Sequence, residues 1–167
     1  PATPFRLEAT PARTNRSTQH WTLRRLQPDA HGDDQVVLTG SAVTAVRRDT
    51  WSATDAVMPQ LPPPDTVERT PWGGPIPWIQ RYDFRLCEGS LPQHWDGSEA
   101  DSLTRLWLRD EPPRPLDFCS LTACADAFFP RVWRRRALMT PIGTVSMTVY
   151  FHASRAELAA TGTGHLL

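Results

Sequence analysis

The sequence PLDFCSLTACADAFFP at residues 115–130, followed by GTVSMTVYFH at residues 143–152, decides the predicted fold. In the first segment small and apolar residues recur at helical spacing, Asp117 can cap the start and Pro130 can end it. This pattern predicts a helix from residue 115 to about residue 129. The second segment alternates apolar and polar residues, which predicts a strand that begins at Thr144. Asp126 lies deep in the apolar helix, where a carboxylate is costly unless it is paired or used, so Asp126 is the residue to explain.

The residues before this helix are predicted to form antiparallel strands and turns. A hairpin is indicated by two strand-like segments on either side of a turn-forming sequence at residues 28–34. The predicted strands are residues 18–27, 35–46, 79–87 and 103–109, with the start of another at residues 164–167. Strands in both halves and a helix in the second half predict an α+β fold.

A proline-rich stretch divides the chain into two predicted parts. Residues 59–77 hold closely spaced prolines and a Gly-Gly pair, which interrupt regular pairing and indicate a linker. The predicted organisation is therefore a first part at residues 1–58, the linker at residues 59–77 and a second part at residues 78–167.

Composition narrows the classes of function. The chain has 167 residues, with 18 Lys and Arg against 18 Asp and Glu, so its formal net charge is zero. Such a balance supplies no field that would attract nucleic acid or an anionic membrane, and no apolar run is long enough for a membrane span. Cys87, Cys119 and Cys124 form no Cys-x-x-Cys pair, and the start of the sequence lacks the pattern of a signal peptide. These features predict a reduced, cytoplasmic protein without a bound metal.

The segments 114–130 and 141–153 resemble the C-terminal half of the thioesterase-like superfamily, which includes the type II, TesB-like acyl-CoA thioesterases of lipid metabolism. Residues 15–27 and 39–48 resemble the closing strands of the first hotdog of that family. The resemblance implies a double hotdog, in which a bent antiparallel sheet wraps around a central helix in each half. It also implies an acyl-CoA substrate, no separate cofactor and possible oligomers through the hotdog sheets.

The resemblance also implies site residues. In the family, the active site uses an Asp on the second hotdog helix, a Thr at the start of the next strand and a Gln on a later strand. Asp126 and Thr144 match the first two positions. The Gln has no counterpart before Leu167, so we expect the second hotdog to stop before its last strands. We also expect the first hotdog to be incomplete.

Thioester hydrolysis requires a positioned water, a base and donors for the developing oxyanion. In this interpretation Asp126 orients or deprotonates the water and Thr144 supports it; the structural alternative is that Asp126 bonds a loop backbone or an arginine. The basic run after the helix supplies Arg134, Arg135 and Arg136, whose forked donors suit the phosphates of coenzyme A. The alternative for this run is a solvated loop.

Three other functions compete with acyl-CoA hydrolysis. Hydratases on the same fold use an Asp with a His five residues later, but Asp126 is followed at that distance by Arg131. A non-catalytic acyl-CoA-binding module is the main alternative, because a fold alone does not confer activity. A structural fragment that associates through open sheet edges is the third.

Overall fold

The computed structural model describes residues 4–72 and 76–167 and divides the chain into two compact units, residues 1–57 and 58–167. The described residues form two antiparallel sheets and three short helices, which confirms the predicted α+β class. The strands are β1 (Arg6–Thr14), β2 (Thr18–Pro28), β3 (Asp34–Ala45), β4 (Tyr82–Glu88) and β5 (Arg105–Asp110), and the helices are α1 (Phe118–Ala125), α2 (Val132–Arg135) and α3 (Arg155–Ala160).

The first unit is a three-stranded meander in the order β1-β2-β3. The predicted hairpin is present, and the side chain of Asp29 accepts the backbone N–H of His31 at 2.8 Å to close its turn. The strand β1 was not predicted because Pro11 interrupts its sequence. The structure places Pro11 on an edge strand, next to an irregularity in the pairing with β2, which is where a strand tolerates proline.

The second unit is built on the antiparallel pair β4-β5, against which α1 packs. Helix α1 begins as predicted, with Asp117 accepting the backbone N–H of Ser120 at 2.7 Å. It ends at Ala125 rather than near Phe129. The core of the second unit consists of one face of the β4-β5 pair and the inner face of α1. The buried members are Phe84, Leu106, Leu108, Cys124 and Ala127.

The other face of the β4-β5 pair carries a buried charge cluster that the alternation of β4 did not predict. Only 2% of the surface of Asp83 is accessible. Its carboxylate accepts hydrogen bonds from Arg85 and Arg109 at 3.1 Å and lies 3.0 Å from Nε2 of His165. Burial raises the pKa of Asp83, but the hydrogen bonds with Arg85 and His165 outweigh it and hold that pKa below its usual value.

Both edges of the β4-β5 pair are occupied by other segments. On the β4 edge the backbone N–H of Thr70 donates to the carbonyl oxygen of Phe84 at 2.7 Å. On the β5 edge Leu108 and Leu166 exchange two backbone hydrogen bonds of 2.8 and 2.7 Å, which agrees with a short strand at the end of the sequence.

The predicted strand at residues 144–152 is wrong for this structure. Residues 136–154 form neither helix nor strand, although their sequence alternates. A strand requires a neighbour whose backbone groups pair with its own, and in the described part of the chain residues 144–152 pair with no strand. On the β4-β5 pair, Thr70 bonds Phe84 at one edge and Leu166 bonds Leu108 at the other. Thr144 therefore lies on an irregular segment rather than at the start of a strand.

We expect Asp83→Ala to lower the free energy of unfolding by about 3 kcal/mol, because it leaves Arg85 and Arg109 without their carboxylate. Urea unfolding at neutral pH, monitored by tryptophan fluorescence, measures the change. The exposed Asp65 in the same unit provides the control variant Asp65→Ala, for which we expect a change below about 0.5 kcal/mol.

The same variant has a predicted pH dependence. A carboxyl whose folded pKa is lowered stabilises the fold above its unfolded pKa and loses that effect as the pH falls through the folded pKa. The difference between wild type and Asp83→Ala should therefore shrink as the pH is lowered below about 4. A difference that is constant from neutral pH to pH 3 would contradict the charge role of Asp83.

Candidate active site

A cavity of about 710 Å³ opens at the end of helix α1 in the second unit. Its wall is mostly apolar, with a few polar side chains, as is usual for sites that bind small molecules. Asp126 and Thr144, which are far apart in the sequence, both line it. The complete lining is Trp78, Tyr82, Ala123, Asp126, Ala127, Phe128, Pro130, Ile142, Gly143 and Thr144.

Asp126 is the residue that ends helix α1, and its side chain is exposed. Its backbone N–H donates to the carbonyl oxygen of Ala123 at 3.2 Å, which closes the last turn. Within residues 4–72 and 76–167, the carboxylate makes no hydrogen bond or ion pair. The expectation of a carboxylate enclosed in an apolar helix is therefore wrong, because the helix ends just before it. The structural alternative, in which Asp126 bonds a backbone or an arginine, is likewise not observed.

Electrostatics give this carboxylate no stabilising role in the helix. The carbonyl groups at the end of a helix carry partial negative charge, so an acid there is unfavourable unless a cation lies nearby. No basic residue lies in the last turn of α1. The negative charge of Asp126 therefore faces the cavity without an evident function in folding.

Two hydroxyl groups share the cavity with Asp126. Thr144 is exposed, and Tyr82 is half-buried at the start of β4. Neither hydroxyl has a hydrogen-bond partner in the part of the chain that the structure describes. The cavity is thus lined by one residue with a carboxylate and two residues with hydroxyls, and none of these three groups has a hydrogen-bond partner within residues 4–72 and 76–167.

A second, apolar groove of about 540 Å³ lies on the other side of Asp126. Ala123 and Asp126 line both spaces, so the carboxylate lies where the two meet. The rings of Phe118 and Phe151 meet edge to face in this groove, with their centroids 4.9 Å apart. The remaining lining residues are Cys119, Thr122 and Met147.

Polar contacts anchor the helix that carries Asp126. Ser120 is 1% exposed, and its hydroxyl donates to the carboxylate of Asp110 at the end of β5. Arg114 joins the same carboxylate at 2.9 Å and reaches Asp117 at 3.0 Å. Because these contacts fix the start of α1 to β5, the position of its last residue follows from the length of the helix.

The three arginines predicted to bind substrate do not line this cavity. They occupy the end of α2 and the following residue. Arg134 donates to the carbonyl oxygen of Asp101 at 3.1 Å and also bonds that of Ser90, and Arg135 donates to the carbonyl oxygen of Ala100 at 3.0 Å. Arg136 is exposed. Arg134 and Arg135 thus hold the loop before β5, and their role in binding remains a prediction.

Sequence reasoning did not single out Tyr82, although it lines the cavity. Its ring packs beside Phe84, with centroids 5.7 Å apart. The predicted strand began at residue 79, whereas β4 begins at Tyr82, so no signal in the sequence indicated that Tyr82 lies at the end of the sheet.

Comparison with known proteins identifies the family. The family model described as the acyl-CoA thioesterase C-terminal domain matches residues 54–167. The chain belongs to this acyl-CoA thioesterase family. The match covers the whole of the second unit and therefore both Asp126 and Thr144.

Solved structures place this acyl-CoA thioesterase domain on the hotdog fold. A conserved hot dog-fold protein of unknown function from Alicyclobacillus acidocaldarius is 46% identical, with a TM-score of 0.83 over 96% of this chain and 58% of that protein. This match confirms the predicted hotdog, and the chain spans less than two thirds of that relative's length. The acyl-CoA thioesterase II TesB2 from Mycobacterium marinum is 24% identical, with a TM-score of 0.44 over 78% of this chain and 43% of that one. No curated protein matches the sequence.

No group of three or more His, Cys, Asp or Glu side chains within residues 4–72 and 76–167 is placed to hold a metal ion. In the same part of the chain, no helix has the length and apolarity to cross a membrane.

We expect Asp126→Asn to leave the free energy of unfolding within about 0.5 kcal/mol of wild type, because the carboxylate makes no bond that folding would lose. Asp117→Ala is the contrast on the same helix, and loss of that cap should cost about 1 kcal/mol. Both variants are compared by urea unfolding. Destabilisation by Asp126→Asn equal to that of Asp117→Ala would indicate a structural role for Asp126.

Proposed function

We propose that the protein hydrolyses acyl-CoA thioesters to a free fatty acid and coenzyme A, with a water molecule oriented by Asp126. One observation supports this proposal above the others. The carboxylate of Asp126 has no partner within residues 4–72 and 76–167, and Asp126 lies where the cavity lined by Tyr82 and Thr144 meets an apolar groove. An acyl-CoA thioester likewise has two parts, a polar part with the carbonyl and the thiol portion and an apolar acyl chain, which correspond to the cavity and the groove.

The reaction requires one water and two proton transfers. The carboxylate of Asp126 accepts a proton from the water as the water oxygen attacks the carbonyl carbon of the thioester. The tetrahedral intermediate then collapses, the carbon–sulfur bond breaks, and Asp126 returns its proton to the thiolate of coenzyme A, which restores the carboxylate. The hydroxyl of Thr144 assists by holding the water or the carboxylate through a hydrogen bond. Its role as a nucleophile is disfavoured because the cavity holds no histidine or lysine to activate it.

The acyl chain is assigned to the groove that contains Phe118, Met147 and Phe151. These side chains offer apolar contact without polar groups that would need to be satisfied, and burial of each methylene contributes about 0.8 kcal/mol. The thiol portion of the substrate then occupies the cavity that holds Thr144. Arg135 and Arg136 are our candidates for contacts with the phosphates of coenzyme A, since Arg134 is enclosed by Ser90 and Asp101.

A non-catalytic acyl-CoA-binding module remains the second candidate function. The exposure of Asp126 and Thr144 favours it, because catalytic groups work best where water is largely excluded and the cavity is open here. Both functions use the same groove and differ only in turnover. We place the protein in the cytoplasm, in keeping with three free cysteines.

We expect Asp126→Asn to lower kcat for thioester hydrolysis by about a hundredfold or more, because it removes the base. Thr144→Val, which keeps the shape and removes the hydroxyl, should lower kcat by about tenfold, the effect of one hydrogen bond. Release of free thiol from a panel of acyl-CoA thioesters measures both. Equal rates for wild type and Asp126→Asn would remove Asp126 from the mechanism, and binding without turnover in wild type would favour the binding module.

We expect Cys119→Trp to shorten the acyl chain that the protein accepts. Cys119 is an exposed residue in the groove, so a larger side chain there fills the groove without disturbing the core. With long-chain thioesters KM should rise by at least about fourfold, the value of one lost methylene contact, while acetyl-CoA is unaffected. The control is Ala159→Trp on α3, an exposed position outside both spaces. An equal change for all chain lengths would argue against the groove.

A further inference from the structure

Tyr82 has no assigned role in the proposed reaction, although it lines the cavity that holds Asp126 and Thr144. Its ring is fixed on two sides. Trp78 meets it edge to face with centroids 6.1 Å apart, and Phe84 packs at 5.7 Å. The backbone is fixed as well, because Tyr82 pairs with Asp110 and its carbonyl oxygen accepts a hydrogen bond from Arg69 at 3.1 Å. A rigid ring holds its hydroxyl at one position.

The hydroxyl of Tyr82 is not used by the fold. No residue in the ranges 4–72 and 76–167 forms a hydrogen bond with it, and it is absent from the side-chain polar atoms that are buried without a partner. It is therefore accessible. Tyr82 lines the cavity that it shares with Asp126, and it also lines a smaller space of about 190 Å³ beside Thr70 and Trp72. A phenol hydroxyl can donate one hydrogen bond.

The proposed hydrolysis lacks one component. When water attacks the thioester, negative charge develops on the carbonyl oxygen, and a fixed donor must stabilise it. Asp126 cannot do so, because an ionised carboxylate only accepts hydrogen bonds. Thr144 has one hydrogen to donate, which is already assigned to the water or to Asp126. Among the residues that line the cavity, Tyr82 and Trp78 carry the remaining side-chain donors.

We propose that the hydroxyl of Tyr82 donates a hydrogen bond to the carbonyl oxygen of the bound thioester and stabilises the oxyanion that forms on it. This inference rests on the proposed function and adds a catalytic residue to it. Tyr82 is favoured over Trp78 because the hydroxyl group lies at the end of a ring that two aromatic neighbours hold, whereas Trp78 is nearly half exposed on a 3-10 helix.

The ionisation state of Tyr82 suits a donor. Burial raises the pKa of Tyr82, and the charges of Cys124, Asp110 and Asp126 act in the same direction, while Arg114 opposes them. The phenol therefore keeps its proton at neutral pH and above.

Turnover tests the proposal with a matched control. The sequence has two tyrosines, and Tyr150 is exposed and lies outside the cavity. We expect Tyr82→Phe, which keeps the ring, to lower kcat by about a hundredfold with little change in KM, as for loss of one oxyanion donor. Tyr150→Phe should behave as wild type. Unchanged kcat in Tyr82→Phe, with wild-type thioester turnover, would overturn the proposal.

Ligand binding tests the proposal independently of turnover. The probes are two stable coenzyme A analogues, an alkyl ketone in which methylene replaces the thioester sulfur and an S-alkyl thioether without a carbonyl. Tyr82→Phe should weaken binding of the ketone by about fivefold, the value of one hydrogen bond, and leave the thioether unchanged. Equal affinities of both proteins for the ketone, or no binding of the ketone by wild type, would overturn the proposal.

Spectroscopic titration tests the proximity of the two groups. In Tyr150→Phe the remaining tyrosine is Tyr82, so absorbance of the tyrosinate reports its pKa alone. Adding Asp126→Asn should lower that pKa towards its ordinary value, and an unchanged pKa would count against a shared site. If wild type hydrolyses no thioester, the hydrolase proposal fails while the ketone and titration results still decide the role of Tyr82.

Discussion

The buried carboxylate of Asp83 is the constraint on which the second unit depends. It joins β4 to three other segments, through Arg109 on β5, His165 near the end of the sequence and Arg85, which also donates to the carbonyl oxygen of Pro64 at 2.8 Å. A buried charge without its partners is strongly unfavourable, so each of these segments has to be in place. Burial lowers the pKa of His165, with Arg109 and Arg85 acting in the same direction and Asp83 only partly offsetting them.

This arrangement determines where the site can form. The Asp83 cluster occupies one face of the β4-β5 pair, and Thr70 and Leu166 occupy its edges. Helix α1 is left with the remaining face, where its buried residues meet Phe84 and Leu108. Because Asp117 and Ser120 fix the start of α1, its last residue projects beyond the strand pair towards residues 142–144. The cavity therefore forms where the end of α1 extends past the end of the β4-β5 pair.

The sequence predicted those features that depend on local pattern. The Asp117 cap, the β2-β3 hairpin and both strands of the second sheet follow from spacing and turn chemistry, and all are present. The α3 helix was missed although Ser154 and Glu157 form a capping box, a signal that the sequence does contain. The strand at residues 144–152 was predicted wrongly, because alternation reports a preference for extended structure and says nothing about the availability of a neighbouring edge.

The environment of the candidate site residues could not be predicted from the sequence. The resemblance selected Asp126 and Thr144, and the structure places both on one cavity. Tyr82 and Asp83 show the limit of periodicity, because alternation places adjacent residues of a strand on opposite faces without giving the surroundings of either face. In the structure, Tyr82 lines a cavity and Asp83 is buried. Both outcomes depend on segments distant in sequence, which alternation within one strand cannot represent.

The end of a helix and a hydrolytic site favour different side chains at position 126. At the end of a helix, an amide side chain would serve the backbone at least as well as a carboxylate and would avoid the negative end of the helix dipole. The structure provides no cation in the last turn of α1 to offset that cost. A hydrolytic base, in contrast, has to bind a water molecule and gains from having no internal hydrogen bond to break first. The carboxylate of Asp126 has no such bond in the described residues, which supports the role of base that we propose for it.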